Sequence, residues 1–302
     1  MSGFSEESLH RIFQSSFVGR KGILGPGSDC AQLTPPKGRR LLQTVDQVIA
    51  GVHLEADATP TAYARKLLRR TLSDLAAVGA TPWTVSWTLA LPTDWTALQI
   101  RTLAKAFLKE AAAFHVPVIG GDCSQSSQVV LTCTAMGLDN GPVPGRAGAK
   151  PGDVILVTGK LGASVTTGAH LLPEPRLREG KHLVQNYKPH AMMDLSDGLA
   201  KDLPRILRAS AVGAEIEVTA LPLDKTLSQS QVGWESAVGE GEDYELLVVL
   251  NPRQAKRALE DRVLRKVGMH AIGMITEGAK LRWLENGRGK QLKSKGWEHH
   301  WA

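Results

Sequence analysis

Cysteine is scarce: the chain holds three, Cys30, Cys123 and Cys133, with no CxxC pair among them. An odd and scattered set supplies neither a disulfide framework nor a zinc knuckle, which agrees with a reducing compartment. Aromatic residues reach only 5%, too few to interleave with basic clusters as a single-strand nucleic-acid groove requires. No apolar run approaches the ~20 residues that span a bilayer. The opening MSGFSEESLH carries neither the basic nor the apolar region of a secretory leader, so no membrane association and a cytoplasmic location are expected. The familiar catalytic strings are missing as well. Gly159-Lys160 is followed by Leu161 and lacks the upstream glycine of a Walker loop. GPGSDC has Cys30 where a dinucleotide fingerprint needs a third glycine, and no HExxH, GxSxG or HRD occurs.

What is present describes an ordinary globular chain. Apolar residues make up 42% and charged residues 22% of 302 positions, which excludes intrinsic disorder and fibrous structure. The length exceeds what one hydrophobic core readily fills, so two domains are expected. Thirty-six basic residues against 30 acidic ones leave a formal charge of +6. The basic clusters, such as Arg65 to Arg70 and Arg253 to Lys266, read as solvated helix faces. A basic protein without aromatic interleaving attracts a small anionic substrate rather than a nucleic acid.

Hydrophobic spacing assigns strands at Leu41 to Val45 and Val48 to Val52 and a helix opened by Pro60, whose apolar stripe leaves Arg65, Lys66, Arg69 and Arg70 in water. A second helix is capped by Asp94, and Val116 to Ile119 and Val129 to Leu138 read as strands. DNGPVPGRAGAKPGD then packs four glycines and three prolines into fifteen residues, the best domain boundary. It divides the chain into residues 1–143 and 144–302. Strands at Val154 to Thr158, Ala191 to Leu195, Ala214 to Val218, Glu245 to Leu250 and Ala271 to Ile275 follow, with helices from Ser196 and over Pro252 to Lys266. Pro204 suggests a kink or early break in the first of these. Both halves mix helix and strand, giving a two-domain α+β or mixed α/β architecture.

The chemistry-bearing residues are aspartates at element ends beside glycine or serine: Asp29, Asp46, Asp74, Asp122, Asp194 and Asp197. Each taken singly reads as a turn residue or helix cap. Together they point to hard divalent cations and phosphate. Asp194 sits in the apolar run AMMDL, where an unpaired carboxylate is costly, and Mg2+ characteristically combines carboxylates with phosphate oxygens.

The ordered series GSDCAQL, TVDQVIAGVHL, LLRRTLSDLAAVGATP, VIGGDCS, RAGAKPGD, MMDLSDGL and GEDYELL, from Gly25 to Trp297, resembles the thiamine-monophosphate kinases, in the superfamily of aminoimidazole ribonucleotide synthetase. The resemblance implies transfer of the ATP γ-phosphate to the phosphate of thiamine monophosphate. It implies Mg2+ ligation by Asp29, Thr44, Asp46, Asp74, Asp122, Asp194 and Asp197, with Asp122, Asp194 and Asp197 central to catalysis. It assigns Gly121, Asp122, Arg146 and Ser196 to ATP, and His53, Glu242 and Trp297 to the thiamine side. It further implies a homodimer whose N-terminal domains, which bind ATP and metal, pair their sheets into a barrel, with a C-terminal α+β domain behind each site.

The residue chemistry agrees with that assignment. A phosphate is already anionic at neutral pH, so its attack needs no general base, and catalysis reduces to positioning and charge neutralisation. Ser28 and Val45 stand where the family pattern has an aspartate and a threonine, which removes oxygen ligands. Plainer readings remain for single residues: His53 as a satisfied histidine, Trp297 as an anchor of the tail, Glu242 and Asp243 as caps of the turn before the strand at Glu245. Alternatives for the whole chain are a related ATP-dependent synthetase or kinase acting on another small phosphorylated substrate, and a nucleotide- or nucleic-acid-binding protein without catalysis.

Overall fold

The structure is a computed structural model that describes residues 7–9, 11–12, 17, 19–25, 29–139, 141–228 and 233–292. The chain forms two compact units, Met1–Leu75 with Ala80–Asn140, and Ala76–Gly79 with Gly141–Ala302.

The first unit opens with a short antiparallel pair, β1 (Ile23–Leu24) and β2 (Gln32–Leu33). An open four-stranded sheet follows, built from β3 (Arg40–Ile49), β4 (Thr81–Leu91), β5 (Val118–Gln125) and β6 (Val130–Asp139) in the order β3-β6-β4-β5. Strand β3 is continuous, where two segments were expected: Asp46 lies inside it, opposite Cys133 of β6. The expected alternation of β6 is present, with Leu131, Cys133 and Ala135 buried. Burial pushes the Cys133 thiol up to about 12, so it acts as a small apolar residue. Strand β4 had no assignment from the sequence.

Two helices pack on one face of this sheet. Pro60–Ala77 begins with proline at its first position and with Thr59 Oγ1 accepting the Ala62 N–H at 3.2 Å. Its expected stripe of Ala64, Leu67, Leu68, Leu72, Leu75 and Ala76 is buried, and Tyr63 is buried with it. On the opposite face Arg65 keeps a side chain 41% exposed, but Lys66, Arg69 and Arg70 are not solvated, against expectation. Lys66 is fully buried and donates to the His53 carbonyl at 2.6 Å, while Arg69 is bonded to buried Glu110. Neighbouring carbonyl and carboxylate groups thus satisfy cations that the sequence assigned to water. The second helix, Ala97–Ala113, is capped by Thr96 rather than Asp94, because Thr96 and Gln99 form a reciprocal capping box. Phe107 of this helix stacks on Trp87 of β4 with ring centroids 3.9 Å apart.

The second unit is a seven-stranded sheet of β7 (Val154–Thr158), β8 (Ala191–Asp194), β9 (Gly213–Glu217), β10 (Leu246–Leu250), β11 (Met269–Thr276), β12 (Leu281–Glu285) and β13 (Arg288–Lys290). Their order is β13-β12-β9-β11-β7-β10-β8. Strand neighbours alternate between two cores. Ile155, Val157, Met193, Leu247 and Val249 pack on one face with Leu199, Leu203 and Ile206 of the helix Leu199–Ser210. Leu156, Met192, Leu246 and Val248 pack on the other with Leu183 of the helix Leu177–Tyr187 and Ala255 of the helix Pro252–Glu260. Covering both faces explains why β7 and β10 read as unbroken apolar runs. Helix Leu199–Ser210 continues six residues beyond Pro204 and does not break there. The expected single helix from Pro252 is two, since Asp261 accepts the Val263 and Leu264 N–H groups and starts Arg262–Val267.

Candidate active site

Within the first unit, β3 and the helix Pro60–Ala77 bring Thr44, Asp46 and Asp74 together. Thr44 Oγ1 donates to Asp74 Oδ2, and Arg70 pairs with Asp46 at 3.2 Å. These oxygens lie on the helix-covered face of the sheet. Asp122 does not join them. Asp46, Cys133, Trp87 and Gly121 form one row across the sheet, so Asp122, one position on and opposite Thr88, lies on the other face of the far edge strand. Gly121 belongs inside β5, because a Cβ there would stand 2.2 Å from the Trp87 carbonyl oxygen. Asp29 is exposed. His53 follows β3 in a turn, where its Nδ1 accepts the Ile49 N–H at 3.1 Å. That bond leaves the proton of the neutral ring on Nε2.

In the second unit the turn after β8 carries Asp194, Ser196 and Asp197. Asp194 is buried at the strand end, paired with Leu246. Asp197 is ion-paired with Arg205, which also grips Asp202. Asp202 is fully buried, and its Oδ2 accepts the N–H groups of Ser196 and Asp197 at 3.0 and 2.9 Å. Burial pushes its carboxyl up to about 6, against the pull of those N–H groups and of Arg205. The sequence reading missed Asp202 and Arg205. An acid in the first turn of the helix after SDG was the available signal.

The segment Glu240 to Glu245 runs beside this turn. Glu242 donates its N–H to the Ser196 carbonyl at 2.8 Å, and Tyr244 donates to Leu195 at 2.8 Å. A cavity of about 400 Å³ adjoins it, lined by Lys160, Arg176, Asp224, Glu242, Asp243 and Glu245 among others. Arg176 pairs with buried Glu245, which also accepts the Thr158 hydroxyl at 2.6 Å. Arg146 is exposed, its carbonyl accepting from Ser210 Oγ at 3.1 Å. Trp297 and Ser28 lie outside the described residues.

These donors are oxygens of carboxylates and hydroxyls, which suits a hard divalent cation. Among the described residues, no three His, Cys, Asp or Glu side chains stand as one metal-holding group. No described helix is long and apolar enough to cross a membrane.

Models of the AIR synthase related protein match both units, the N-terminal domain over residues 27–138 and the C-terminal domain over residues 150–283. The chain belongs to this family, and its fold is the two-domain mixed α/β fold of that class. It is 35% identical over 277 residues to the thiamine-monophosphate kinase of Synechococcus elongatus, covering 83% of this chain and 84% of that one. The crystal structure of thiamine-monophosphate kinase from Stenotrophomonas maltophilia K279a superposes with a TM-score of 0.82 at 29% identity, over 96% of this chain and 99% of that one. AaThiL, solved in complex with AMPPCP and TMP, superposes with a TM-score of 0.77 at 25% identity, over 98% and 97% of the two chains. Within the family, the chain stands with the thiamine-monophosphate kinases.

Proposed function

We propose that the protein transfers the γ-phosphate of ATP to thiamine monophosphate, giving thiamine diphosphate and ADP by direct in-line attack. The observation that carries this reading is the 2.8 Å bond from the Glu242 N–H to the Ser196 carbonyl. It joins the segment matched to the thiamine side to the segment matched to ATP and metal. The AaThiL complex with AMPPCP and TMP and the 35% identical relative support the same pairing of substrates.

In this reading Ser196, Gly121, Asp122 and Arg146 bind ATP, while His53, Glu242 and Trp297 orient the thiamine end. Asp29, Thr44, Asp46, Asp74, Asp122, Asp194 and Asp197 would hold several Mg2+ ions. Bound Mg2+ supplies charge that screens the repulsion between the two phosphates. Arg70 and Arg205 meanwhile neutralise Asp46 and Asp197 and hold their carboxylates in place. Arg146 offers a forked donor to phosphate oxygens. No side chain has to remove a proton from the attacking phosphate.

Residues 1–143 form the domain that binds ATP and metal and makes the dimer, and residues 144–302 form the C-terminal domain. The uncovered face of the four-stranded sheet, which exposes Leu41 and Val45 at 45% and 59% beside Gln43 and Gln47, is the surface that would pair with a second copy. The protein acts in the cytoplasm. Incubation with ATP, Mg2+ and a panel of phosphorylated small molecules tests the reading. Thiamine diphosphate forms only with thiamine monophosphate present; turnover of another acceptor, or nucleotide binding with no ADP released, counts against it.

A further inference from the structure

Asp243 stands between two non-glycine residues in the left-handed region, Glu242 at φ 72° and Tyr244 at φ 51°. Such backbone conformations are costly for residues with a Cβ and persist only where the surroundings hold them. The surroundings here are specific. Both Asp243 carboxylate oxygens accept the Gly162 N–H at 3.1 Å, and Oδ1 also accepts the Ser164 hydroxyl at 2.6 Å. Two residues before Glu242, Glu240 accepts the Ala163 N–H at 3.0 Å. Carboxylates on both sides of Glu242 therefore grip one turn, Gly162 to Ser164. That turn has room for no side chain at its first residue: Gly162 is itself left-handed, and a Cβ there would meet Ala237 Cα at 2.6 Å.

We propose that Asp243 is a positioning residue for the thiamine-phosphate substrate: through Gly162 and Ser164 it holds Glu242 in the conformation that lines the cavity. This rests on the assignment of Glu242 to the thiamine side. The Asp243 side chain is engaged with its own turn, so its effect on the substrate is exerted through Glu242. Burial pushes its carboxyl up to about 7 in spite of the bonds from Ser164 and Gly162. The site is thus built at some cost, as is usual where strain serves function.

The test uses the full chain and four variants: Glu242→Gln, Asp243→Asn, the double variant, and Ser164→Ala, which removes one bond to Asp243 and keeps its charge. The Michaelis constants for thiamine monophosphate and ATP, kcat and the melting temperature are measured for each. Asp243→Asn is expected to raise the constant for thiamine monophosphate about tenfold and that for ATP less than about twofold. Ser164→Ala gives the same selective change, smaller, and decides the matter if Asp243→Asn does not fold. Because Asp243 acts through Glu242, the double variant is no worse than Glu242→Gln alone. A Glu242→Gln defect beside a silent or unselective Asp243→Asn, or full additivity in the double variant, overturns the positioning role alone. A silent Glu242→Gln removes the thiamine-side assignment and this inference with it.

Discussion

Asp197 donates its backbone N–H to the buried carboxylate of Asp202 at 2.9 Å. This bond, with its twin from Ser196, shapes the turn that carries three of the proposed functional residues. Ser196 and Asp197 thus owe their placement to a residue inside the helix that follows, while Asp194 is held by its strand pairing with Leu246. The same turn is zipped along Glu240 to Glu245, so metal-binding and substrate-binding candidates share one rigid support in the second unit.

Asp122→Asn and Asp194→Asn each remove a negative charge at unchanged size. Both variants are expected to keep the fold and to lose phosphoryl transfer by at least a hundredfold, the order of effect seen when an electrostatic group is removed from an active site. Circular dichroism checks the fold and thiamine diphosphate formation checks the activity. A variant turning over at the wild-type rate would remove that residue from the proposed metal set.

Transfer is expected to be direct. The substrate phosphate is itself a nucleophile, so no covalent relay through a side chain is needed. Incubation with γ-labelled ATP alone should leave the protein unlabelled. A labelled protein that passes its phosphate to thiamine monophosphate would overturn the direct route.

Lys66→Met keeps the aliphatic volume but deletes the donor to the His53 carbonyl. Removing the charged donor from this half-buried carbonyl costs about 1 kcal/mol, so a fall in denaturant midpoint is expected with little change in slope. The turn bearing His53 is loosened too, and the Michaelis constant for thiamine monophosphate should rise. An unchanged midpoint would mean that water or another donor replaces the ammonium.

Asp261 accepts the Val263 and Leu264 N–H groups, the Tyr187 hydroxyl at 2.8 Å and a His182 contact at 3.0 Å. Burial opposes its ionisation, but these partners together hold its carboxyl down at about 2. A depressed carboxylate stabilises the fold above its unfolded value near 3.8, and that contribution disappears as pH falls through about 2. Asp261→Ala should therefore cost about 1–2 kcal/mol at neutral pH, allowing for solvent screening at a partly exposed site. It should also flatten the loss of stability between pH 4 and pH 2. Acid titrations of wild type and variant, followed by tryptophan fluorescence, check both.

Much of this molecule could be read without coordinates, because local patterns carry physical meaning over short stretches. The buried stripe of Pro60–Ala77, the alternation of Val130–Asp139, the apolar run of Val154–Thr158 and the Gly- and Pro-rich stretch after Asp139 each follow from periodicity or turn chemistry within some fifteen residues. The motif series carried the family, since chemistry at phosphate demands particular residues in a particular order. Tertiary structure alone decided which charges are solvated and which residues hold the functional ones. Lys66 and Arg69 looked like water-facing cations until the His53 carbonyl and Glu110 met them. Asp46 and Asp122 looked equivalent until strand register put them on opposite faces of one sheet. Asp243 accepts the Gly162 N–H from eighty-one positions away. A buried charge is governed by the groups that surround it in space, and pairing across a sheet or between two turns leaves no periodic trace in the chain that supplies it.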